Sequence, residues 1–253
     1  MSTPYEIDIT MSSDTATSLK DNGYQLYGFK SVQTSARNGA PLVWFVTSTF
    51  SVSTAVKWSE QYQAYTTNSS AISGGSVTAS YSADMDLGWI LDVSTSAGTG
   101  GPPASGGNPE DITIKNTSGC PFTAGISETV KNSDGTTSSN PLCAFNLFGT
   151  TTLQIAPVEQ VLLMFATDSY NTGTVVYNAF TVGLLIDLTQ ANLRSVSFDI
   201  NAGWSSLPTA GASWAQQVSN NAPLAPLLID TPAASATATL LKGGGMRRLR
   251  LVA

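Results

Sequence analysis

The chain has 253 residues, of which 42% are hydrophobic and only 11% are charged, well below the usual share of charged residues in globular domains. Seventeen acidic side chains against eleven basic ones leave a net charge of −6. The ample apolar content excludes a disordered chain. The acidic body would repel phosphate backbones, so we expect no nucleic-acid partner.

No apolar run approaches the roughly 18 residues of a membrane helix. The first ten residues show no cationic stretch followed by an apolar core, so a signal peptide is not expected. The sequence therefore predicts a soluble, cytoplasmic protein.

The chain contains no histidine. Ser-His-Asp and Cys-His catalytic sets and histidine metal sites are therefore excluded, and we predict that the protein is not an enzyme and carries no metal or cofactor. Cys120 and Cys143 are the only cysteines. They could pair across neighbouring strands, but in a reducing compartment two free, buried thiols are the favoured interpretation.

Apolar and polar residues alternate along the first hundred positions, which is typical of half-buried strands. The longest series runs over alternate residues from Phe50 to Tyr62, and clusters of Gly, Asn, Pro and Ser bound each run. A helix over 58–65 is the alternative, because Trp58, Tyr62 and Tyr65 also share one helical face. We predict an all-β protein of antiparallel, sandwich-like or barrel-like modules.

The pattern starts again after a Gly-, Pro- and Ser-rich connection at 98–108. Four segments recur in the same order, about one hundred residues apart. They are "PYEIDIT" at 4 with "PEDITIK" at 109, "APLVWF" at 40 with "NPLCAF" at 140, "SEQYQAY" at 59 with "VEQVLLMF" at 158, and "LGWILDVS" at 87 with "VGLLIDLT" at 182. We predict two duplicated modules, residues 1–97 and 109–190. An extension at 191–253 would follow, with one or more strands and a mobile basic tail.

Glu60 raises a specific question, because it falls between Trp58 and Tyr62 on the apolar face of a predicted strand. The Glu60-Gln61 pair recurs as Glu159-Gln160, where the local neighbours are aliphatic instead of aromatic. A buried carboxylate needs partners. It would either hold a strand bend together, or anchor a ligand in an aromatic pocket. The candidate pocket residues are Trp58, Glu60, Tyr62, Trp44 and Trp89.

The function expected from these features is non-catalytic binding of a carbohydrate or a small aromatic ligand. Two alternatives stay open: a membrane-active, pore-forming β protein, in which alone a membrane partner would apply, and a self-assembling structural or storage protein. Exposed strand edges would allow the chain to form a homo-oligomer.

Overall fold

The computed structural model describes residues 3–131 and 135–231. The predicted mobile basic tail lies outside the described residues. The elements of the first half are β1 (Pro4–Thr10), α1 (Ser13–Asp21), β2 (Gln25–Thr34), β3 (Ala40–Pro41), β4 (Phe45–Thr47), β5 (Ser53–Thr67), β6 (Tyr81–Met85), β7 (Trp89–Val93) and β8 (Ala104–Ser105). Those of the second half are β9 (Ile112–Asn116), β10 (Phe122–Lys131), β11 (Thr137–Pro141), β12 (Cys143–Leu147), β13 (Thr152–Ala166), β14 (Gly183–Asp187), β15 (Leu193–Asp199), β16 (Gly203–Leu207), β17 (Ala215–Val218), α2 (Ala225–Leu228) and β18 (Ile229–Asp230).

The predicted all-β fold is confirmed: the strands form two nine-stranded sheets that share one large apolar core. The first sheet runs β16-β15-β1-β5-β10-β12-β3, with β6 beside β5 and β11 beside β10. The second runs β17-β14-β13-β9-β7-β8, and β2 joins it through β13, with β4 and β18 beside β2. The sheets are mixed and not purely antiparallel, because β1–β15, β7–β9 and β2–β18 are parallel pairs.

Both predicted segments contribute strands to both sheets, so neither forms a sheet of its own. The pairings nevertheless repeat. The long strand β5 pairs with β1, β6 and β10, and the long strand β13 pairs with β9, β14 and β2. On one edge each long strand therefore pairs with two shorter strands of its own segment, and on the other edge with a ten-residue strand of the other segment. Two similar sequence segments, at 87 and 182, lie in strands with different partners, since β7 runs parallel to β9 while β14 is antiparallel to β13.

Each long strand has fifteen residues and changes partners midway along one edge. On β5 the pairing with β1 ends at Ser59 and the pairing with β6 begins at Tyr62. On β13 the pairing with β9 ends at Ile155 and the pairing with β14 begins at Gln160. Along the opposite edge, the pairing with the ten-residue strand shifts register at the same point, between Trp58 and Tyr62 on β5 and between Val158 and Val161 on β13. Such irregularities re-aim side chains that a regular strand would place by alternation. Glu60 and Glu159 each lie at one of these junctions.

Two elements differ from the sequence interpretation. Residues 13–21, for which no helix was expected, form α1, which the side chain of Ser12 caps by accepting a hydrogen bond from the Thr15 amide at 3.1 Å. Strand β8 lies within the predicted connection at 98–108.

Cys120 and Cys143 are both free thiols, as favoured, but only Cys143 is buried. None of the described helices is long and apolar enough to span a membrane.

Gly125 allows three strands to pack closely. A Cβ atom there would clash with the Cys143 carbonyl oxygen and lie 2.8 Å from the Tyr65 hydroxyl, which itself donates to that carbonyl at 2.6 Å. We expect Gly125→Ala to lower the free energy of unfolding by about 1–3 kcal/mol, because the backbone of β12 must move. Urea denaturation measures this change. Gly119→Ala is the control, because nothing lies within 4 Å of its added Cβ; equal losses in both variants would contradict the prediction.

Candidate functional site

Three charged side chains meet between the sheets beside the two junctions. Lys30 on β2 donates from Nζ to Glu128 Oε2 on β10 and, at 3.0 Å, to Glu159 Oε1 on β13. The side chains of Lys30 and Glu128 are 0% exposed, and that of Glu159 is 12% exposed. We call Lys30, Glu128 and Glu159 the buried ion cluster. It joins the two sheets, since β10 belongs to the first and β2 and β13 to the second.

Two tryptophans enclose this cluster. Lys30 Nζ lies 5.6 Å from the ring centre of Trp44 and 5.3 Å from that of Trp58, at cation–π distance. Trp58 Nε1 donates to Glu159 Oε2 at 3.0 Å, and Trp44 Nε1 donates to the backbone carbonyl of Glu128 at 3.1 Å. Both indoles are almost fully buried. Trp58 therefore holds the Glu159 carboxylate and Trp44 holds the Glu128 backbone, and both rings line the ammonium group with apolar surface.

The electrostatics of the cluster favour one protonated carboxyl. Burial, with smaller contributions from Glu159 and Glu60, raises the pKa of Glu128 to about 8, although Lys30 opposes the shift. At neutral pH Glu128 is therefore mainly a carboxylic acid. Its Oε1 is the one carboxyl oxygen of the cluster without a hydrogen-bond partner among the described residues. Protonation of Glu128 leaves one ammonium and one carboxylate in the cluster, so no negative charge is buried without a matching positive one.

Glu60 lies at the outer side of this region and is only partly buried. Its Oε1 accepts a hydrogen bond from the Tyr5 hydroxyl at 3.1 Å. Burial and the nearby carboxylates raise the pKa of Tyr5, so the phenol stays a donor. Glu60 is thus not the buried carboxylate that the sequence analysis expected; Glu128 is fully buried, and Glu159 is 12% exposed. Glu159 was also expected to lack aromatic neighbours, yet the strand opposite supplies Trp58.

Three of the five predicted pocket residues lie together in the main core. Trp44, Trp58 and Tyr62 are buried in the main core, where Trp44 and Trp58 meet edge to face at 5.6 Å. Tyr62 lies opposite Glu128 in the sheet register, and burial raises its pKa. Trp89 is in the other sheet, on β7, where it is paired with Ser105.

A surface depression of about 510 Å³ opens beside Trp58. Tyr5 is stacked on Trp58, with ring centres 5.4 Å apart and planes 11° from parallel. We call this cavity the Tyr5 depression. Its described lining is Pro4, Tyr5, Glu6, Lys57, Trp58, Ser59, Thr129, Lys131, Thr137, Asn192 and Leu193. The lining therefore combines an aromatic surface with hydroxyl, amide, ammonium and carboxylate groups.

Sequence reasoning missed Lys30 and Glu128. The available signal was a lone cation in "QLYGFKSVQT", a strand that is apolar on both faces in a chain with few charges. Burial on both faces is what the structure shows for β2. A single Lys in such a strand requires a partner carboxylate, but alternation alone does not say which one.

Comparisons with protein-family models, curated proteins and solved structures find no match to this chain. Among residues 3–131 and 135–231, no group of three or more Cys, Asp, Glu or His side chains is arranged to hold a metal ion.

Proposed function

We propose that this chain is a non-catalytic carbohydrate-binding protein and that the Tyr5 depression is its sugar site. The observation that carries the proposal is the Tyr5–Trp58 stack in a depression rimmed with polar groups. A sugar ring has one apolar face and a rim of hydroxyls. It needs an aromatic platform together with hydrogen-bond donors and acceptors, which is the usual design of small-molecule sites.

The polar rim supplies both kinds of group. Lys57 and Lys131 are donors, and Asn192, Ser59 and Thr129 can donate or accept. The buried ion cluster lies behind Trp58 and holds its indole through Glu159, at 3.0 Å. Its role in this proposal is to keep the platform rigid, because an ordered aromatic surface loses little entropy when a ligand binds.

The duplication also stays a proposal, which the repeated pairing of β5 and β13 supports. Homo-oligomer formation stays a prediction. Most lining residues of the Tyr5 depression come from the first predicted segment, which also contains all five predicted pocket residues.

The test is titration calorimetry with a panel of glucose, galactose, mannose and N-acetylglucosamine oligomers, with indole and phenol as planar aromatic probes. We expect at least one sugar to bind and Tyr5→Ala to weaken its binding about tenfold or more, through loss of roughly 1.4 kcal/mol of contact energy. Binding of the aromatic probes alone would replace the carbohydrate proposal with the aromatic one.

The matched control is Tyr177→Ala. Tyr177 is 38% exposed, lies outside the Tyr5 depression and donates to the Ala71 carbonyl at 3.1 Å. Its loss removes a similar surface aromatic and should leave sugar affinity unchanged. Equal weakening by both substitutions, or no binding of any sugar at millimolar concentration, would contradict the proposed site.

A further inference from the structure

We propose that Lys30 and Glu128 condense within the folded chain to form an intramolecular amide bond, with Glu159 accepting the proton from the lysine. This inference is independent of the carbohydrate proposal. It assigns a self-catalysed modification to the buried ion cluster.

The geometry brings the reacting groups together. Lys30 Nζ is in hydrogen-bond contact with Glu128 Oε2 and therefore lies next to the carboxyl carbon that it would attack. Both side chains are 0% exposed. Holding a nucleophile and an electrophile in contact converts a bimolecular reaction into a unimolecular one, with effective concentrations of about 10⁵–10⁸ M in favourable cases. The dry surroundings favour loss of water and the neutral product.

The protonation states are those that condensation needs. Amide formation requires a neutral carboxylic acid, since a carboxylate repels nucleophiles, and burial raises the pKa of Glu128 to about 8. The amine must also be neutral, so the ammonium has to lose a proton. Glu159 Oε1 lies 3.0 Å from Nζ and can accept it. Glu159 accepts hydrogen bonds at both oxygens, from Lys30 Nζ at 3.0 Å and from Trp58 Nε1 at 3.0 Å.

The step balances in atoms and charge. Glu159 takes one proton from the Lys30 ammonium, and the neutral amine attacks the carboxyl carbon of Glu128. One N–C bond forms, one C–O bond breaks, and the hydroxyl leaves with a second amine proton as water. The cluster begins with one positive and one negative charge and ends uncharged, with Glu159 protonated. No oxidant or other reactant is required.

The oxygen of Glu128 without a hydrogen-bond partner favours condensation over the free carboxyl group. Oε1 is buried without a hydrogen-bond partner among the described residues, which is costly for a polar atom. Condensation replaces the two carboxyl oxygens of Glu128 by one amide oxygen, so one fewer buried acceptor requires a donor. The product would tie β2 to β10, two strands of different sheets whose linked residues are 98 positions apart.

Intact mass spectrometry of the fully denatured, reduced wild-type chain tests the proposal. We expect a mass about 18 Da below that of the sequence, the mass of one water. Proteolysis should yield one branched peptide that contains both Lys30 and Glu128. A wild-type mass equal to that of the sequence would overturn the proposal.

Two variants make the test specific. Lys30→Arg keeps the positive charge but has no amine that can condense, and it should show its full sequence mass; a persistent deficit would place the dehydration elsewhere and overturn the proposal. Glu159→Gln keeps Lys30 and Glu128 but removes the proton acceptor. We expect freshly purified E159Q to contain uncondensed chains, and condensation as complete as in wild type would overturn the role of Glu159.

Discussion

Replacing Lys30 by methionine is expected to lower the free energy of unfolding at pH 7 by about 3–5 kcal/mol, the usual cost of breaking a buried ion pair by removing one partner. The methionine fills nearly the same volume, so the loss is electrostatic and not a cavity effect. It leaves the Glu159 carboxylate without its cation and Glu128 without its hydrogen-bond donor. Loss of the proposed amide would add to the destabilisation. Urea denaturation followed by tryptophan fluorescence measures it.

Lys57→Met is the matched control for this substitution. Lys57 forms an ion pair with Glu6 at 2.8 Å, but its side chain is 48% exposed. Exposed pairs contribute about 0–1 kcal/mol, so K57M should be nearly neutral. The double variant K30M/E159Q should recover part of the stability, because it removes a carboxylate that has lost its partner. Similar losses in K30M and K57M would show that the buried ion cluster is not electrostatically important.

The second large effect is a pH dependence that originates at Glu128. Its pKa is about 8 in the folded chain, against an ordinary value of 4.5. The folded state therefore binds this proton more tightly than the unfolded state does. The resulting stabilisation is fully present below about pH 4.5 and is lost as the pH rises through about 8. Glu128→Gln mimics the protonated carboxyl, and wild type should lose a few kcal/mol relative to E128Q between pH 5 and pH 9.

This comparison requires a free Glu128 carboxyl, because amide formation abolishes its titration. In condensed preparations the measurement is made between K30R and K30R/E128Q, since arginine keeps the cation and cannot form the bond. Denaturant midpoints at pH 5, 7 and 9 are sufficient. A difference between the two variants that does not change with pH would contradict the raised pKa of Glu128.

Much of the strand pattern follows from the sequence alone. The alternation from Phe50 to Tyr62 predicts the inward face of β5, and Val56, Trp58 and Tyr62 are indeed buried there. The helix considered for 58–65 does not form, because β5 continues to Thr67. Helix α1 escaped prediction, since the polar sequence "SDTATSLKD" shows only a narrow apolar stripe around Ala16 and Leu19.

The recurrence of Glu-Gln also carried information. Both pairs lie where a fifteen-residue strand exchanges one neighbour for another. These positions agree with the strand-bend alternative of the sequence analysis. The two glutamates nevertheless differ, because Glu60 binds Tyr5 near the surface whereas Glu159 binds Lys30 and Trp58 inside. The sequence repeat cannot show this difference, since the deciding partners come from other strands.

The sequence by itself determined the fold class, the strand-bearing segments, the lack of histidine chemistry and the positions of both repeated glutamates. Those properties depend on composition and on a local period of two residues. Only the tertiary structure decided that Lys30, Glu128 and Glu159 meet, and that Tyr5 stacks on Trp58 above a surface depression. Lys30 lies 98 positions from Glu128 and 129 from Glu159. Contacts at such separations are set by the register and order of strands across two sheets. The local period of two residues predicts neither the register nor the order.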